Sequence, residues 1–331
     1  MRHEYRLFGA EMSPYSVKVR SYLRYKALPH RWVVRSADYE AEFQQHAKLQ
    51  MVPLLVTPDG GSLQDSTPII EAIDARHPDP SIHPTDPVAR FVSTLLEEFG
   101  DEWGSKWLFH LRWAREVDQI SSACRMASAM MPGADPDRIA AMSAMVRTGM
   151  VDRVSWFVGS SPENAPVIED SFAEAIDLLD RHLADRPYLF GGRPAFGDFG
   201  LWAQIYEAWT DPTARAQIEG RGHNVLAWVH RMLWPRIEGE FESWAPCEPT
   251  LAPLLERHVG ALFLPWTRAN ERALQGRQEE FSVTLAGKQW KQKPQRYHAK
   301  SLRALREKHA ATADRTAIDS LLARTGCQLD G

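Results

Sequence analysis

The stretch that decides the fold is residues 12–20, which read Met-Ser-Pro-Tyr-Ser-Val-Lys-Val-Arg. The apolar run before it, residues 5–8, predicts a strand, and the apolar spacing after it predicts a helix over 14–27. Ser13 falls at the N-cap of that helix and Pro14 at its first position, where a missing N–H costs nothing. Unpaired N–H groups and the helix dipole favour an anion at such a place. The stretch therefore indicates either an anion site with an exposed hydroxyl or an ordinary helix cap.

Two later segments bear on that choice. Val52-Pro53 opens an apolar run, and a Pro in this position fits a cis peptide that presents the backbone of Val52 to an extended ligand. Asp65-Ser66 stands before apolar residues at 69, 70 and 73, which is typical of the polar start of another helix. Both segments thus offer polar groups to a small ligand, although Asp65-Ser66 also fits a plain cap.

Together, the three segments resemble the glutathione-binding domain of the cytosolic glutathione transferases over residues 4–78. Residues 13–20 are similar to the serine type of that family's first helix. The other two segments are similar to its Val–cis-Pro pair and its acidic-Ser pair. The resemblance implies that glutathione is the co-substrate and that its thiolate attacks a small electrophile.

The resemblance also implies roles for individual residues. A free thiol has a pKa of about 8.5, so the protein must favour the thiolate, and the hydroxyl of Ser13 would donate a hydrogen bond to it. Val52 would pair with the cysteinyl part of glutathione, with Pro53 holding the turn. Asp65 and Ser66 would hold the γ-glutamyl end. Further residues are expected at the cleft: Tyr15, and either Gln50 or Lys48 as a substitute ligand for the glycyl carboxylate.

Strand and helix signals predict a domain order that agrees with this resemblance. Residues 1–78 predict a thioredoxin-like α/β domain with the order βαβ, α, ββα, and the proline-rich residues 79–87 predict a linker. Residues 88–246 predict an all-helical substrate domain, with helices over 86–116, 117–131, 135–158 and 168–184. Residues 247–331 predict a mostly helical extension, with helices at 251–275, 298–310 and 314–325 and a possible hairpin at 279–293.

The loop before residue 196 resembles the start of a buried helix in the family's second domain. Its Asp198 is the acidic half of a capping box, whereas Ala195 stands where a Ser or Thr is usual. The missing hydroxyl bond corresponds to a loss of about 1 kcal/mol. Asp198 is therefore expected to be structural.

The electrophile pocket is expected where the helical domain faces Ser13. Trp103, Trp107 and His110 share one helix face, so they predict either an aromatic substrate pocket or a stripe packed in the core or at a dimer interface. The carboxylates at 97, 98, 101 and 102 lack a following Glu-x-x-His pair. We therefore expect no metal site and a solvated acidic face.

Composition narrows the function classes. The 331 residues carry 39 Lys and Arg against 43 Asp and Glu, a net charge of −4, which does not favour nucleic acid as a partner. Three distant cysteines fit a reducing compartment, and neither an apolar leader nor a membrane-spanning run is evident, so a cytoplasmic protein is expected. The interpretation is a glutathione transferase that acts in detoxification, a homodimer by the family resemblance. The alternative is a non-catalytic module of the same fold that binds a ligand or a protein.

Overall fold

The computed structural model describes residues 4–312 and 315–330. Its N-terminal part is a four-stranded sheet with helices on it, in the strand order β2-β1-β3-β4. Strand β1 is parallel to β2 and antiparallel to β3, which is antiparallel to β4. The elements are β1 (Tyr5–Gly9), α1 (Pro14–Tyr25), β2 (His30–Val34), α2 (Glu40–His46), β3 (Leu54–Val56), β4 (Ser62–Gln64) and α3 (Ser66–Arg76). The predicted thioredoxin-like order is confirmed.

The second part of the chain is helical. Its helices are α4 (Pro87–Phe99), α5 (Ser105–Ala114), α6 (Glu116–Met130), α7 (Pro136–Phe157), α8 (Ala165–His182), α9 (Phe196–Trp209), α10 (Pro212–Arg221) and α11 (His223–Met232). The single helix predicted over 86–116 is wrong in one respect. A π-helical turn at Gly100–Gly104 separates α4 from α5.

Helix α9 lies at the centre of this part, against α1, α4 and α5. Its glycines permit the close approach to α4. A Cβ on Gly197 would lie 2.7 Å from the carbonyl oxygen of Ser93, and one on Gly200 would lie 2.7 Å from that of Glu97. Side chains at either position would push the two helices apart, so the close packing depends on glycine.

Asp198 caps α9 as expected. Its carboxylate accepts hydrogen bonds from the N–H of Ala195 at 2.9 Å, the N–H of Leu189 at 3.0 Å and the indole N–H of Trp228 at 2.9 Å. Ala195 has no hydroxyl to complete the reciprocal bond. The structural role predicted for Asp198 agrees with these contacts, because all three partners are groups of the fold.

The C-terminal extension contains α12 (Trp244–Leu254), a π-helical stretch (Leu255–Phe263), α13 (Leu264–Gln275), β5 (Phe281–Leu285), β6 (Lys288–Gln292), α14 (Arg296–Ala310) and α15 (Arg315–Arg324). The predicted hairpin is confirmed, with its turn at Ala286-Gly287, both at positive φ. The helix predicted over 251–275 starts earlier and includes the π-helical stretch. Residue 314, the predicted start of the last helix, lies outside the described residues.

The extension is joined to the helical part through a buried lysine. Lys106 of α5 is 1% exposed, and its Nζ lies 3.8 Å from the ring centroid of Trp266 and 5.2 Å from that of Trp290. The same Nζ donates to Gln292 Oε1 at 3.3 Å and to the carbonyl oxygen of Val158 at 3.0 Å. Burial holds the pKa of Lys106 well below its ordinary value. The extension is therefore part of the folded core.

No helix among residues 4–312 and 315–330 is long and apolar enough to cross a membrane.

Candidate functional site

Ser13 lies at the N-cap of α1, as the sequence predicts. It is half-buried, and its Oγ accepts a hydrogen bond from the N–H of Ser16 at 3.3 Å. Within the described part of the chain, the Ser13 hydroxyl hydrogen has no acceptor. Ser13 is thus a helix cap that retains one donor for a further group.

The loop before Ser13 is held by a residue that the sequence analysis missed. Arg112 of α5 donates from Nη1 to the carbonyl oxygen of Met12 at 2.9 Å. Its other nitrogens donate to Asp211 Oδ2 at 2.6 Å and to Glu207 Oε2 at 2.9 Å, and Arg112 is 1% exposed. Its place in the mostly apolar segment from Trp107 to Ala114 was the available signal, because a cation there must be paired when buried.

The predicted cis peptide between Val52 and Pro53 is present. Among the described residues, neither the N–H nor the C=O of Val52 takes part in a hydrogen bond. Gln64 fixes the preceding loop, since its Oε1 accepts from the N–H groups of Lys48 and Leu49, both at 2.9 Å. Val52 therefore presents a backbone donor and acceptor without a protein partner.

Gln50 is exposed and faces Arg35. Arg35 donates from Nη1 to the Gln50 carbonyl oxygen at 2.8 Å and from Nη2 to its Oε1 at 3.2 Å. The side chain of Gln50 also bonds that of Gln44. A cation thus stands beside the position for which the sequence offered only Gln50 or Lys48.

Asp65 and Ser66 begin α3 but face different surroundings. Asp65 has φ +80° and does not cap the helix with its side chain; its Oδ2 accepts from the hydroxyl of Tyr297 at 2.9 Å. Ser66 is 1% exposed, and its Oγ lies 3.5 Å from both Lys18 Nζ and Asp101 Oδ2. The Ser66 side chain is therefore directed into a buried polar cluster.

That cluster is centred on Lys18, one of the residues of the opening stretch. Its Nζ lies 2.5 Å from Glu97 Oε1, 2.6 Å from Asp101 Oδ2 and 3.1 Å from Thr67 Oγ1. Burial disfavours the charged form, but Asp101 and Glu97 outweigh it and raise the pKa of Lys18 above its ordinary value. The cluster links α1 and α3 to α4 and the π-helical turn.

The acidic residues 97, 98, 101 and 102 are buried, so the prediction of a solvated face is wrong. Each is between 1% and 8% exposed. The reason is tertiary: Lys18 lies against Glu97 and Asp101, and His298 of the extension contacts Glu102. Within the described residues, no group of His, Cys, Asp and Glu has the arrangement of a metal site.

Burial raises the pKa of Glu98 to about 8, with the neighbouring Glu97 adding to the effect and Lys308 opposing it. Above about pH 4.3 the unfolded chain loses this proton while the native state retains it, so stability falls as pH rises towards 8. We expect Glu98→Gln to be more stable than the wild type at pH 8 by about 1 kcal/mol or more, and this gain to shrink towards pH 4. Urea unfolding at several pH values measures it.

The matched control for this prediction is Glu279→Gln, because Glu279 is exposed. It should show no gain that depends on pH. A Glu98→Gln variant whose gain is the same at pH 4 and pH 8 would contradict the raised pKa.

Tyr15 lies on α1 and donates from its hydroxyl to the carbonyl oxygen of Asp101 at 3.1 Å. Burial raises the pKa of Tyr15 above its ordinary value, and the nearby Asp101 adds to this, so the phenol stays neutral. Its hydroxyl is thus already engaged by the fold, and a contact of Tyr15 with glutathione stays a prediction.

Trp103, Trp107 and His110 are 0%, 1% and 3% exposed. Trp103 packs on Trp266 and Trp290 of the extension. Trp107 Nε1 donates to Ser171 Oγ at 2.8 Å, and the two ring nitrogens of His110 bond Ser160 and Glu169. These contacts agree with one of the two alternatives from the sequence, an aromatic stripe packed in the core. A role of the three residues in a substrate pocket stays a prediction.

Family comparison decides what kind of fold carries this site. Residues 7–81 match the model of the glutathione S-transferase N-terminal domain, and residues 137–231 match that of the glutathione S-transferase C-terminal domain. The two matches together span about half of the chain. The chain belongs to the glutathione S-transferase family.

Solved glutathione S-transferase structures resemble it at low identity. One from Methylobacterium radiotolerans, in complex with glutathione sulfonate, is 22% identical, with 69% of this chain and 90% of that chain covered and a TM-score of 0.41. One from Methylobacillus flagellatus with GSH bound is 19% identical, with 70% and 95% covered and a TM-score of 0.42. A GST-like protein from Pseudomonas syringae is 15% identical, with 76% and 74% covered and a TM-score of 0.48. No curated protein sequence matches the chain.

In this family member, the extension adds to the site a residue that the sequence analysis did not find. Tyr297 belongs to the first turn of α14 and reaches Asp65 across 232 positions of the sequence. No local pattern signals such a contact, because it depends on how α14 packs. The site as it stands thus combines groups from the N-terminal part, the π-helical turn and the extension.

Proposed function

We propose that the chain is a glutathione transferase, in which Ser13 stabilises the thiolate of bound glutathione for attack on a small electrophile. The observation that carries the proposal is the Ser13 hydroxyl at the mouth of α1, which caps the helix as an acceptor and keeps its hydrogen available. A hydroxyl donor together with the positive end of a helix favours a sulfur anion over a thiol.

The other groups of the proposed site would orient the peptide. The unpaired amide of Val52, fixed beside Pro53, would exchange backbone hydrogen bonds with the cysteinyl residue. The γ-glutamyl carboxylate would bind at the start of α3, where the backbone N–H of Ser66 points along the helix axis, and the ammonium would approach Asp65. Arg35, which bonds Gln50 and also pairs with Glu40, would supply a cation for the glycyl carboxylate.

The proposed reaction forms one bond and breaks one. The glutathione thiol first releases its proton to solvent, and the Ser13 hydroxyl donates to the resulting sulfur anion. The sulfur electron pair then forms a bond to the electrophilic carbon, and the leaving group departs with the pair from the broken bond. Ser13 keeps its proton throughout, so its contribution is electrostatic.

A second candidate is a non-catalytic module of the same fold. Two observations favour it: one oxygen of the Asp65 carboxylate already accepts from Tyr297, and the aromatic residues at 103 and 107 are packed in the core. In addition, two cavities, of about 890 and 650 Å³, lie elsewhere, one between α13 and α14 and the other beside α3 and α4. This alternative needs ligand binding but no activated thiol.

The decisive experiment measures the ionisation of bound glutathione. Thiolate absorbance is followed from pH 5 to 9 with protein in excess, and turnover of an aryl halide is measured in parallel. We expect the pKa of the bound thiol to fall to about 7 or lower, from about 8.5 in water. Binding with an unchanged thiol pKa would support the non-catalytic module. No binding at millimolar glutathione would overturn the transferase and leave only a module of this fold that binds another ligand or a protein. Homodimerisation, a cytoplasmic location and a detoxification role stay predictions.

A further inference from the structure

Tyr297 of the extension forms a hydrogen bond with Asp65, the acidic residue of the proposed glutathione site. The hydroxyl of Tyr297 donates to Asp65 Oδ2 at 2.9 Å, and no other side chain in the described residues bonds the Asp65 carboxylate. Tyr297 is 50% exposed, so its ring stands at the open face and not in the core. A ligand that approaches Asp65 from solvent therefore meets this tyrosine.

Helix α14 is fixed in this position. His298, the next residue, contacts Glu102 and packs edge-on against Trp266 with 4.6 Å between ring centroids. Leu302 and Leu305 on the same helix are 1% and 0% exposed. Burial of these two leucines stabilises the helix where it lies, so the helix does not withdraw without a large loss. The ligand must bind with Tyr297 in place.

The hydroxyl is a permanent donor. Although half of Tyr297 is exposed, its hydroxyl is desolvated where it contacts Asp65; this desolvation raises the pKa of Tyr297 above its ordinary value, and the charges of Asp65 and Asp101 add to the effect. The phenol therefore stays neutral and donates to a carboxylate, which is a charge-assisted hydrogen bond. An ammonium group of a ligand would bind the same Asp65 carboxylate, because the two groups carry opposite charges.

We propose that Tyr297 is a specificity-determining residue, whose hydroxyl competes with the ammonium group of the ligand for the Asp65 carboxylate. This inference rests on the proposed glutathione site. The extension should therefore weaken the binding of ligands that carry a free amino group at the γ-glutamyl end. Thiol ligands that lack this amino group should be unaffected, so the site favours them more than it would without the extension.

The test compares two ligands on two proteins. Tyr297→Phe and the wild type are titrated calorimetrically with glutathione and with its deamino analogue, glutaryl-cysteinyl-glycine. We expect Tyr297→Phe to bind glutathione about tenfold more tightly, since the ammonium no longer competes with a hydrogen bond to a charged group. The affinity for the analogue should stay within about twofold, because the analogue has no ammonium to compete. Tyr39→Phe, at an exposed tyrosine outside the site, is the matched control.

A double variant tests whether the gain in glutathione affinity depends on the Asp65 carboxylate. Adding Asp65→Asn to Tyr297→Phe should abolish the gain for glutathione, because the contested carboxylate is gone. Weaker glutathione binding by Tyr297→Phe, or an equal change for both ligands, would overturn the inference while leaving the proposed function intact. If neither protein binds either ligand at millimolar concentration, the proposed function fails as well.

Discussion

Replacing Ser13 by Ala should lower the catalytic efficiency of glutathione conjugation by about 100-fold, the usual effect of removing one donor to a developing or stabilised anion. The variant loses the hydroxyl at the N-cap of α1, whose hydrogen has no acceptor in the described part of the chain. The pKa of the bound thiol should return towards about 8.5, while the affinity for glutathione changes little, because the other groups that hold the peptide remain. The measurements are kcat/KM with an aryl halide and the thiolate titration.

Ser16→Ala is the matched control for this prediction. Ser16 lies on the same helix and is buried, and its Oγ accepts from the N–H of Ala10 at 3.4 Å. This variant should keep the thiol pKa of the wild type. Both variants need a stability check, since loss of the Ser13 cap alone costs about 1 kcal/mol. A Ser13→Ala protein that conjugates as fast as the wild type would show that Ser13 is only a cap.

Lys18→Met should lower the free energy of unfolding by about 3–5 kcal/mol, since it leaves buried carboxylates without their cation. The Lys18 side chain is 0% exposed and Glu97 only 1%. Methionine keeps most of the volume, so the loss reports on charge and hydrogen bonds more than on packing. Urea unfolding near pH 7 measures it.

Lys291→Met provides the comparison at the same separation. Lys291 and Glu280 also lie 2.6 Å apart, but their side chains are 63% and 44% exposed. An exposed pair contributes little because solvent screens it, so this variant should be nearly as stable as the wild type. Equal losses in the two variants would contradict the importance of burial at Lys18.

The N-terminal elements and the hairpin could be predicted from the sequence because their signals are local. Ser13 and Pro14 mark the start of α1, and the turn residues Ala286-Gly287 stand between two alternating runs. Each of these signals acts within a few residues of the structure it specifies. The order of elements along the chain that these signals predict agrees with the one that the family resemblance implies.

The candidate site was predicted less completely, for physical reasons. Burial of the acidic residues depends on Lys18 of α1 and on His298 of the extension. The helical pattern of residues 97–102 predicts neither contact. Arg112 and Tyr297 reach the site over 100 and 232 positions of the sequence. Such contacts are decided by the packing of whole elements, which periodicity does not describe.

The lysine enclosed by tryptophans has a consequence for comparisons among relatives. Lys106 finds one of its two polar partners and most of its aromatic neighbours on the hairpin and on α13, so its burial is tolerable only when those elements are present. Family members that end after the helical domain should therefore carry other residue types at the positions of Trp103 and Lys106. We expect the Trp and Lys at these two positions to be present in family members that have the hairpin and absent from those that lack it.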